Sequence, residues 1–249
     1  NGSDNIGIYM NNGGTITNNG AIDGTAGIAN IGIVIVGGSI INTASIKIGD
    51  SAVIRDSQGH PMINSSTYAV GIYGDGANIS NIGDITIGKD SIALYAKDAP
   101  TIVTNSGNID SSASGAIGLF VENSTINNTG NVTLSGANSI GMSAVNHGNI
   151  INTGTITMNG DNSKGVYLRV GSTLNNAGGT IIINGANSEG VSLDTSSTII
   201  NAGTITTNNI TSVAQAESGS KYPIPTIINS GVINVNENFK TTGLNIEIK

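Results

Sequence analysis

The strongest constraint on this chain is a short phrase, clearest at residues 150–156, that returns from one end of the sequence to the other. In each copy an aliphatic residue is followed two positions later by asparagine, and two positions after that by a small residue. The small residues are separated by 24, 39, 24, 23, 24, 24, 25 and 28 positions. A period near 24 residues is typical of repeat proteins, which grow by stacking similar units. We therefore predict one elongated domain over residues 1–249.

The asparagines and small residues of the phrase predict one corner of the repeat. Asparagine and glycine both tolerate the left-handed backbone of a sharp bend, and stacked asparagine side chains can bond amide to amide. A structural role is therefore favoured over a polar ladder that binds a ligand. The asparagines are Asn18, Asn42, Asn81, Asn105, Asn128, Asn152, Asn176, Asn201 and Asn229. The small residues are Gly20, Ala44, Gly83, Gly107, Gly130, Gly154, Gly178, Gly203 and Gly231.

The remainder of each repeat predicts β-structure. Short β-branched runs bounded by Gly, Asn and Ser are typical of strands, and three of them fit into one period, as at 165–168, 172–175 and 179–183. Parallel strands of successive coils, stacked about 4.8 Å apart, would bury one aliphatic column inside the next. The sequence predicts an all-β fold, a right-handed parallel β-helix with three sheets and about ten coils. Its hand follows from the crossover rule for parallel strands.

Alternation along the first strand of each coil predicts which side chains face the core. Apolar residues stand on both sides of a second small residue, as Val70 and Ile72 do around Gly71, and both are assigned to the core. The small residue and the residue two positions after it then face outward. Lys164 and Glu189 break this pattern in adjacent coils. They either form a charge pair beside the corner or mark an error of register.

The outward column carries aromatic residues in three consecutive coils, Tyr73, Tyr95 and Phe120. Beside a strip of small residues, such rings would form a shallow groove for the apolar face of a sugar or for a side chain of a partner protein. Alternatively the rings only stabilise neighbouring strands, by about 0.2–1 kcal/mol for each cross-strand pair. Two positions further along, the candidate contact residues are Asp75, Lys97 and Glu122.

Two insertions interrupt the period, at residues 51–66 and 217–225. Insertions in solenoids become surface loops, and loops carry specificity more often than the frame does. Either these loops contact a ligand or they are tolerated decorations. Roughly 30 Å of stacked coils would separate them, so they cannot share one small-molecule site. The candidate contact residues in the insertions are Arg55, His60, Lys221 and Tyr222.

Composition excludes several classes of function. The net charge is −7 and the nine basic residues are scattered, so we expect no nucleic-acid partner. No run of about 18 apolar residues could span a membrane. No thiol, metal-ligating pair or phosphate-binding loop indicates catalysis, a metal or a cofactor. Charges in the column of Asp75, Lys97 and Glu122 alternate in sign between coils, whereas glycoside hydrolysis needs two carboxylates. A carbohydrate-active β-helix enzyme, a polysaccharide lyase or hydrolase, is the alternative.

The repeats Ile-Asn-Asn-Thr-Gly-Asn-Val at 126–132, Ile-Asn-Thr-Gly-Thr-Ile at 151–156 and Ile-Asn-Ala-Gly-Thr-Ile at 200–205 carry a resemblance that covers nearly the whole chain. The chain resembles the passenger domains of large type V autotransporter adhesins. Its repeats, rich in Asn and Ile, are especially similar to those of the fusobacterial outer-membrane adhesins. The resemblance implies an extracellular stalk, anchored to the bacterial outer membrane through a C-terminal barrel outside these residues. It also implies adhesion to other bacteria, host glycans or host receptors.

We therefore expect a non-enzymatic, monomeric piece of a longer adhesin array, which either binds a glycan or protein receptor or spaces a more distal binding site from the cell. Any secretion signal has been removed or lies upstream, because the first residues carry no charged start, apolar stretch and small-residue cleavage site.

Overall fold

Three parallel sheets of nine strands each make up the described part of the fold. The computed structural model describes residues 2–54, 67–98, 101–193, 196–208, 210–216 and 226–235. Within these ranges the chain has no helix, and hence none that could cross a membrane. Successive strands enter sheets 1, 2 and 3 in strict rotation, so three strands make one coil. The predicted parallel β-helix with coils of about 24 residues is confirmed.

The strands of each sheet pair in coil order, coil 1 holding the first strand of every sheet. Sheet 1 contains β1 (Ile6–Asn11), β4 (Ile31–Val36), β7 (Val70–Asp75), β10 (Ile92–Lys97), β13 (Ile117–Glu122), β16 (Ile140–Val145), β19 (Lys164–Leu168), β22 (Ser188–Leu193) and β25 (Ile210–Ala216). Sheet 2 contains β2 (Thr15–Asn18), β5 (Ser39–Asn42), β8 (Asn78–Asn81), β11 (Ile102–Asn105), β14 (Thr125–Asn128), β17 (Asn149–Asn152), β20 (Thr173–Asn176), β23 (Thr198–Asn201) and β26 (Thr226–Asn229). Sheet 3 contains β3 (Ile22–Gly24), β6 (Ile46–Ile48), β9 (Ile85–Ile87), β12 (Ile109–Ser111), β15 (Asn131–Leu134), β18 (Thr155–Met158), β21 (Thr180–Ile183), β24 (Thr204–Thr207) and β27 (Val232–Val235).

Some predicted features lie outside the described residues. They are the insertion at 217–225, the part of the first insertion from Arg55 to Ser66, and the tenth predicted coil, which would follow residue 235. The first insertion leaves and rejoins the solenoid at one place, because Ala52 and Thr67 form an isolated antiparallel bridge with backbone N···O distances of 2.8 and 3.0 Å. This bridge lies between β6 and β7, at the corner where the insertion is predicted.

The hydrophobic core fills the inside of the three sheets as aliphatic columns. Within coil 5, for example, Leu119, Ile126 and Val132 come from three different sheets and are fully buried. Burying one such side chain stabilises the fold by about 1.5–3 kcal/mol. Since the same residue types lie one above another in registered strands, every interior coil is packed on both sides by coils of matching shape.

The small residue of the first strand faces the core, so its predicted outward position is wrong. Ala93 is fully buried and belongs to the core. A Cβ added to Gly71 would lie 3.0 Å from Cγ2 of the core residue Ile85 and 2.5 Å from the carbonyl oxygen of Ala93. The small residue and the apolar residue after it, such as Ala93 and Leu94, both belong to the core. The alternation with period two therefore fails at this point.

The residue before the small position was predicted to face the core, and the structure bears this out only in part: Val70 and Ile92 are buried, whereas Ile31, Ile117 and Ile140 are partly exposed. Lys164 and Glu189, which occupy this position in coils 7 and 8, form an ion pair. The Lys164 Nζ also donates to Ser192 Oγ at 3.3 Å, and Ser192 lies in the outward column. Val70 and Ile92 share the position in coils 3 and 4; they are only 5% and 7% exposed but do not belong to the central cluster of packed core residues. The charge-pair interpretation of Lys164 and Glu189 is thus confirmed.

A continuous ladder of asparagine side chains closes the corner between sheets 2 and 3, as predicted. Asn128 shows the pattern: its Nδ2 donates to Asn152 Oδ1 at 2.9 Å and to the carbonyl of Gly130 at 3.1 Å. The amide–amide bond recurs in every step from Asn18 to Asn229, with N···O distances of 2.7 to 2.9 Å. The asparagine column is therefore structural.

Left-handed backbone does not explain this corner, contrary to the prediction. None of the ladder asparagines has positive φ, and among the predicted small positions only Gly178 does. Gly154 is small for another reason, because a Cβ there would collide with the carbonyl of Gly130 in the preceding coil. In coil 7 the position that packs against the preceding coil is occupied by Gly179. Gly178 is an extra residue at this corner, and a Cβ added to it would meet no atom within 4 Å.

Left-handed residues instead form the other two corners. Between sheets 3 and 1 the positive-φ column is Asp4, Ala29, Asp90, Gly115, Asn138, Asn162 and Asn187. Between sheets 1 and 2 it is Asn12, Gly37, Gly76, Asp98, Asn123, Asn146 and Val170. Asn, Asp and Gly are the residue types that adopt this conformation most readily, and a β-branched residue such as Val170 is an outlier.

Candidate binding surface

The outer face of sheet 1 in coils 3 to 5 carries the aromatic strip, defined as Tyr73, Tyr95 and Phe120. Strands β7, β10 and β13 pair in register, so that each ring lies directly beside the ring of the next coil. The outward direction of the strip follows from the alternation after the inward residues Ile72, Leu94 and Leu119. The prediction that these three residues lie next to one another on consecutive coils is confirmed.

The rings pack edge to face along the strip. Ring centroids are 5.1 Å apart between Tyr73 and Tyr95, with an interplanar angle of 85°, and 4.8 Å apart between Tyr95 and Phe120, with an angle of 80°. Such aromatic pairs contribute about 0.5–1.5 kcal/mol each beyond the burial of their area. The strip is thus a rigid part of the sheet surface, and all three rings remain partly exposed.

Carboxylates hold the phenol ends of the strip. Tyr73 donates its hydroxyl hydrogen to Asp75 Oδ2 at 3.3 Å, and Tyr95 donates to Glu122 Oε2 at 3.0 Å in the next coil. The second oxygen of Glu122 accepts a hydrogen bond from Asn146 Nδ2 at 2.9 Å. Glu122 therefore connects coils 4, 5 and 6 and fixes the orientation of the Tyr95 ring.

Both phenols stay protonated at neutral pH. Burial, followed by the charge of Asp75 and the hydrogen bond to it, raises the pKa of Tyr73 to about 12. The pKa of Tyr95 is also raised, first by burial and then by the hydrogen bond to Glu122 and its charge. Near neutral pH the strip presents hydroxyl donors and carboxylate acceptors side by side.

The groove expected beside the strip is not formed by small residues, since those face the core. The column beside the strip carries instead the aliphatic residues Val70, Ile92 and Ile117, of which only Ile117 is more than slightly exposed. The contacts of Lys164, in the same column, with Tyr167 and Ser192 show that these two columns touch on the outer face. The surface is therefore a ridge of rings bordered by aliphatic side chains on one side and charges on the other.

The structure brings six of the ten candidate site residues together on one face. Asp75, Lys97 and Glu122 are in register in the column next to the strip. Lys97 Nζ lies 3.9 Å from Asp98 Oδ2. The other four candidates, Arg55, His60, Lys221 and Tyr222, lie outside the described residues.

A second charged cluster on this face was not predicted as a site. Tyr167, two coils beyond Phe120 in the aromatic column, has the Lys164 ammonium 5.6 Å and the Arg169 guanidinium 5.8 Å from its ring centroid. Both are within the range of cation–π attraction. The sequence signal for this cluster was present in the two basic residues near Tyr167, Lys164 three positions before it and Arg169 two positions after it.

The carboxylates of the face serve as hydrogen-bond acceptors for the rings. Asp75 and Glu122 are two coils apart, roughly 10 Å along the stacking direction. Each is bonded to a tyrosine hydroxyl. Across the described part of the chain, no group of three or more His, Asp or Glu side chains could hold a metal ion.

Comparison with protein-family models, with curated proteins and with solved structures finds no match to this chain.

Proposed function

We propose that this chain is a segment of a cell-surface adhesin, whose solenoid presents the outer face of sheet 1 to a glycan or protein receptor. The repeated phrase, which resembles that of the autotransporter passenger domains, supports this proposal together with the stacked coils. In this proposal the segment lies outside the cell and is held on the bacterial outer membrane by a downstream barrel. The ligand is bound without chemical change.

The aromatic strip is the observation that carries the proposal. It places three partly exposed rings on consecutive coils, with two hydroxyl–carboxylate pairs along one side. Rings of this kind can pack against the apolar face of a sugar, while carboxylates accept hydrogen bonds from its hydroxyl groups. The face is rigid before binding, because every ring is held by its neighbours, and preorganisation lowers the entropy lost on binding.

A glycan array probed with the 249-residue chain tests this function. The triple variant Tyr73→Ala, Tyr95→Ala, Phe120→Ala should lose binding to any glycan that the native chain retains. Tyr167→Ala is the matched control, since it removes a ring from the same column two coils beyond the strip. Circular dichroism must show that both variants keep their β-structure.

The outcomes separate the proposal from its alternatives. Unaltered binding by a folded triple variant would remove the strip as the contact surface. A chain that binds neither glycans nor the proteins bound by its full-length parent acts as a spacer. Release of new reducing ends from a bound polysaccharide, abolished by Glu122→Ala or Asp75→Ala, would instead identify a carbohydrate-active enzyme.

A further inference from the structure

The dipeptide Asn-Gly occurs four times in the described part of the chain, at 12–13, 19–20, 159–160 and 184–185. In this dipeptide the main-chain nitrogen of the glycine can attack the side-chain carbonyl carbon of the asparagine, because glycine has no side chain to obstruct the approach. The four copies share one local sequence but have different surroundings in the solenoid. Differences in their reactivity therefore report the fold.

Asn12 is the least restrained of the four asparagines. It lies at the corner between sheets 1 and 2 with a φ of 69°, and its side chain is exposed. Gly13 has a φ of 85°, and a Cβ added to it would meet no atom within 4 Å, so the main chain has room to move. No described residue forms a hydrogen bond with the Asn12 side chain or with the Gly13 amide.

The two copies at the corner between sheets 3 and 1 are held by hydrogen bonds and by packing. Asn159 Nδ2 donates to Ser135 Oγ at 3.1 Å, and Asn159 Oδ1 accepts from Asn184 Nδ2 at 2.8 Å. Asn184 Oδ1 accepts in turn from Asn208 Nδ2 at 2.6 Å. The glycine after each asparagine is buried, and a Cβ on Gly160 would collide with a main-chain carbonyl of the preceding coil. The glycine nitrogen cannot reach the side chain at these two places unless the corner opens.

The remaining asparagines of similar exposure are also restrained. Asn19 Oδ1 accepts a hydrogen bond from Thr43 Oγ1 at 2.7 Å. Asn123 and Asn146 share the corner column of Asn12 and are exposed, but each is followed by a residue whose side chain obstructs the attack. An open side chain, a left-handed corner and a following glycine coincide at Asn12.

We infer that Asn12 is a site of spontaneous deamidation in the folded chain, with water as the only co-reactant. The Gly13 nitrogen loses its proton and bonds to Asn12 Cγ, the bond from Cγ to Nδ2 breaks, and the leaving nitrogen takes up a proton and departs as ammonia. Water then opens the resulting succinimide ring. Attack of water at Cγ gives aspartate, whereas attack at the main-chain carbonyl carbon gives isoaspartate, in which the main chain passes through Cβ and Cγ.

The corner can accept both products. Between the strands of sheets 1 and 2 it contains two residues in coil 2, three in coil 1 and four in coil 7. One additional main-chain carbon is within the variation that the solenoid already shows. The strands on either side, β1 and β2, pair with β4 and β5 of coil 2 and need not move. The modification thus adds a negative charge at the surface of coil 1 and leaves the coil folded.

Peptide mapping by mass spectrometry tests the site, after incubation of the folded 249-residue chain in neutral buffer made with heavy-oxygen water. Asn12 should be converted first, and Asn159 and Asn184 at least about 10-fold more slowly, because their hydrogen bonds must break before the ring can form. The product at Asn12 should include isoaspartate, which direct hydrolysis of the side chain does not give. In the chain unfolded in urea, the four sites should react at similar rates.

Two variants taken from neighbouring coils complete the test. Asn12→Gly, which copies Gly37 of the same corner column and fits the positive φ, should remove the earliest ammonia released by the folded chain. Asn159→Ser, which copies Ser135 one coil earlier, is the matched control and should leave that early release unchanged. The inference would be overturned by a folded native chain in which Asn12 reacts no faster than Asn159, by a product without isoaspartate, or by native early release from Asn12→Gly.

Discussion

Asn128 and Asn152 are joined by a side-chain hydrogen bond of 2.9 Å inside the solenoid, and both residues are almost fully buried. The bond belongs to a ladder in which each asparagine donates to the asparagine of the next coil and to a main-chain carbonyl of its own corner. Each amide therefore satisfies groups that the tight corner would otherwise leave without a partner. Removing any one of these asparagine side chains should therefore destabilise the corner.

Replacing Asn128 by alanine should lower the free energy of unfolding by about 3 kcal/mol. The change leaves Asn152 Oδ1 without its donor and takes one acceptor from Asn105 Nδ2, and unsatisfied buried groups cost about 1–3 kcal/mol each. Urea denaturation followed by circular dichroism measures the loss. Asn127→Ala, one residue earlier and partly exposed on sheet 2, should change stability by less than about 0.5 kcal/mol. Equal losses in the two variants would contradict a special role for the ladder.

Glycine at the same corner is needed for close approach between coils. Gly154→Ala should destabilise the chain by about 2 kcal/mol, because its Cβ would collide with the Gly130 carbonyl and come within 2.9 Å of Asn128 Nδ2. Gly20, the equivalent residue of coil 1, has no atom within 4 Å of an added Cβ and has no positive φ. Gly20→Ala should therefore be neutral or stabilising by about 0.5 kcal/mol. The difference between the two midpoints in urea is the test.

The coil and its columns could be predicted because they depend on residue spacing alone. A period near 24 and an asparagine at every corner are sufficient to stack strands in register, since any other register would place polar residues in the core. The inward position of Gly71 could not be predicted in this way. There two successive residues, Gly71 and Ile72, face inward, and simple alternation assigns Gly71 to the wrong side.

Part of the candidate surface was equally accessible from the sequence. The neighbourhood of Tyr73, Tyr95 and Phe120 follows from the repeat, because residues one period apart become neighbours in a stacked solenoid. The hydrogen bond from Tyr95 to Glu122 does not follow from it, since it depends on rotamers that cross from one coil to the next. The same holds for the contacts of Lys164 and Arg169 with the Tyr167 ring.

Replacing Val170 should stabilise the folded chain. This residue has a φ of 51° in a corner column that is filled by Asn, Asp or Gly in coils 1 to 6, and its side chain is 47% exposed. A left-handed backbone costs a β-branched residue roughly 1–2 kcal/mol, whereas asparagine adopts it readily. Val170→Asn should raise the free energy of unfolding by about 1 kcal/mol. Ile200→Asn, at an exposed strand position without positive φ, is the control and should not stabilise. A Val170→Asn variant that unfolds at a lower urea concentration than the native chain would contradict the strain.

The tyrosines of the strip should make stability fall in alkaline solution. An unfolded tyrosine has a pKa of about 10, whereas burial and the carboxylate of Asp75 raise the pKa of folded Tyr73 to about 12. The folded state thus favours the protonated phenol, so its stabilising effect is fully present below pH of about 10 and is lost as pH rises towards 12. Urea midpoints measured across this interval should fall less steeply for the double variant Tyr73→Phe, Tyr95→Phe than for the native chain. Tyr9→Phe, in the same column but 59% exposed, serves as the control and should retain the native fall in stability.

Glu122→Gln should lower the pKa of Tyr95, measured by NMR titration, because it removes the negative charge at the phenol. An unchanged Tyr95 pKa in that variant would contradict the contact between the two side chains.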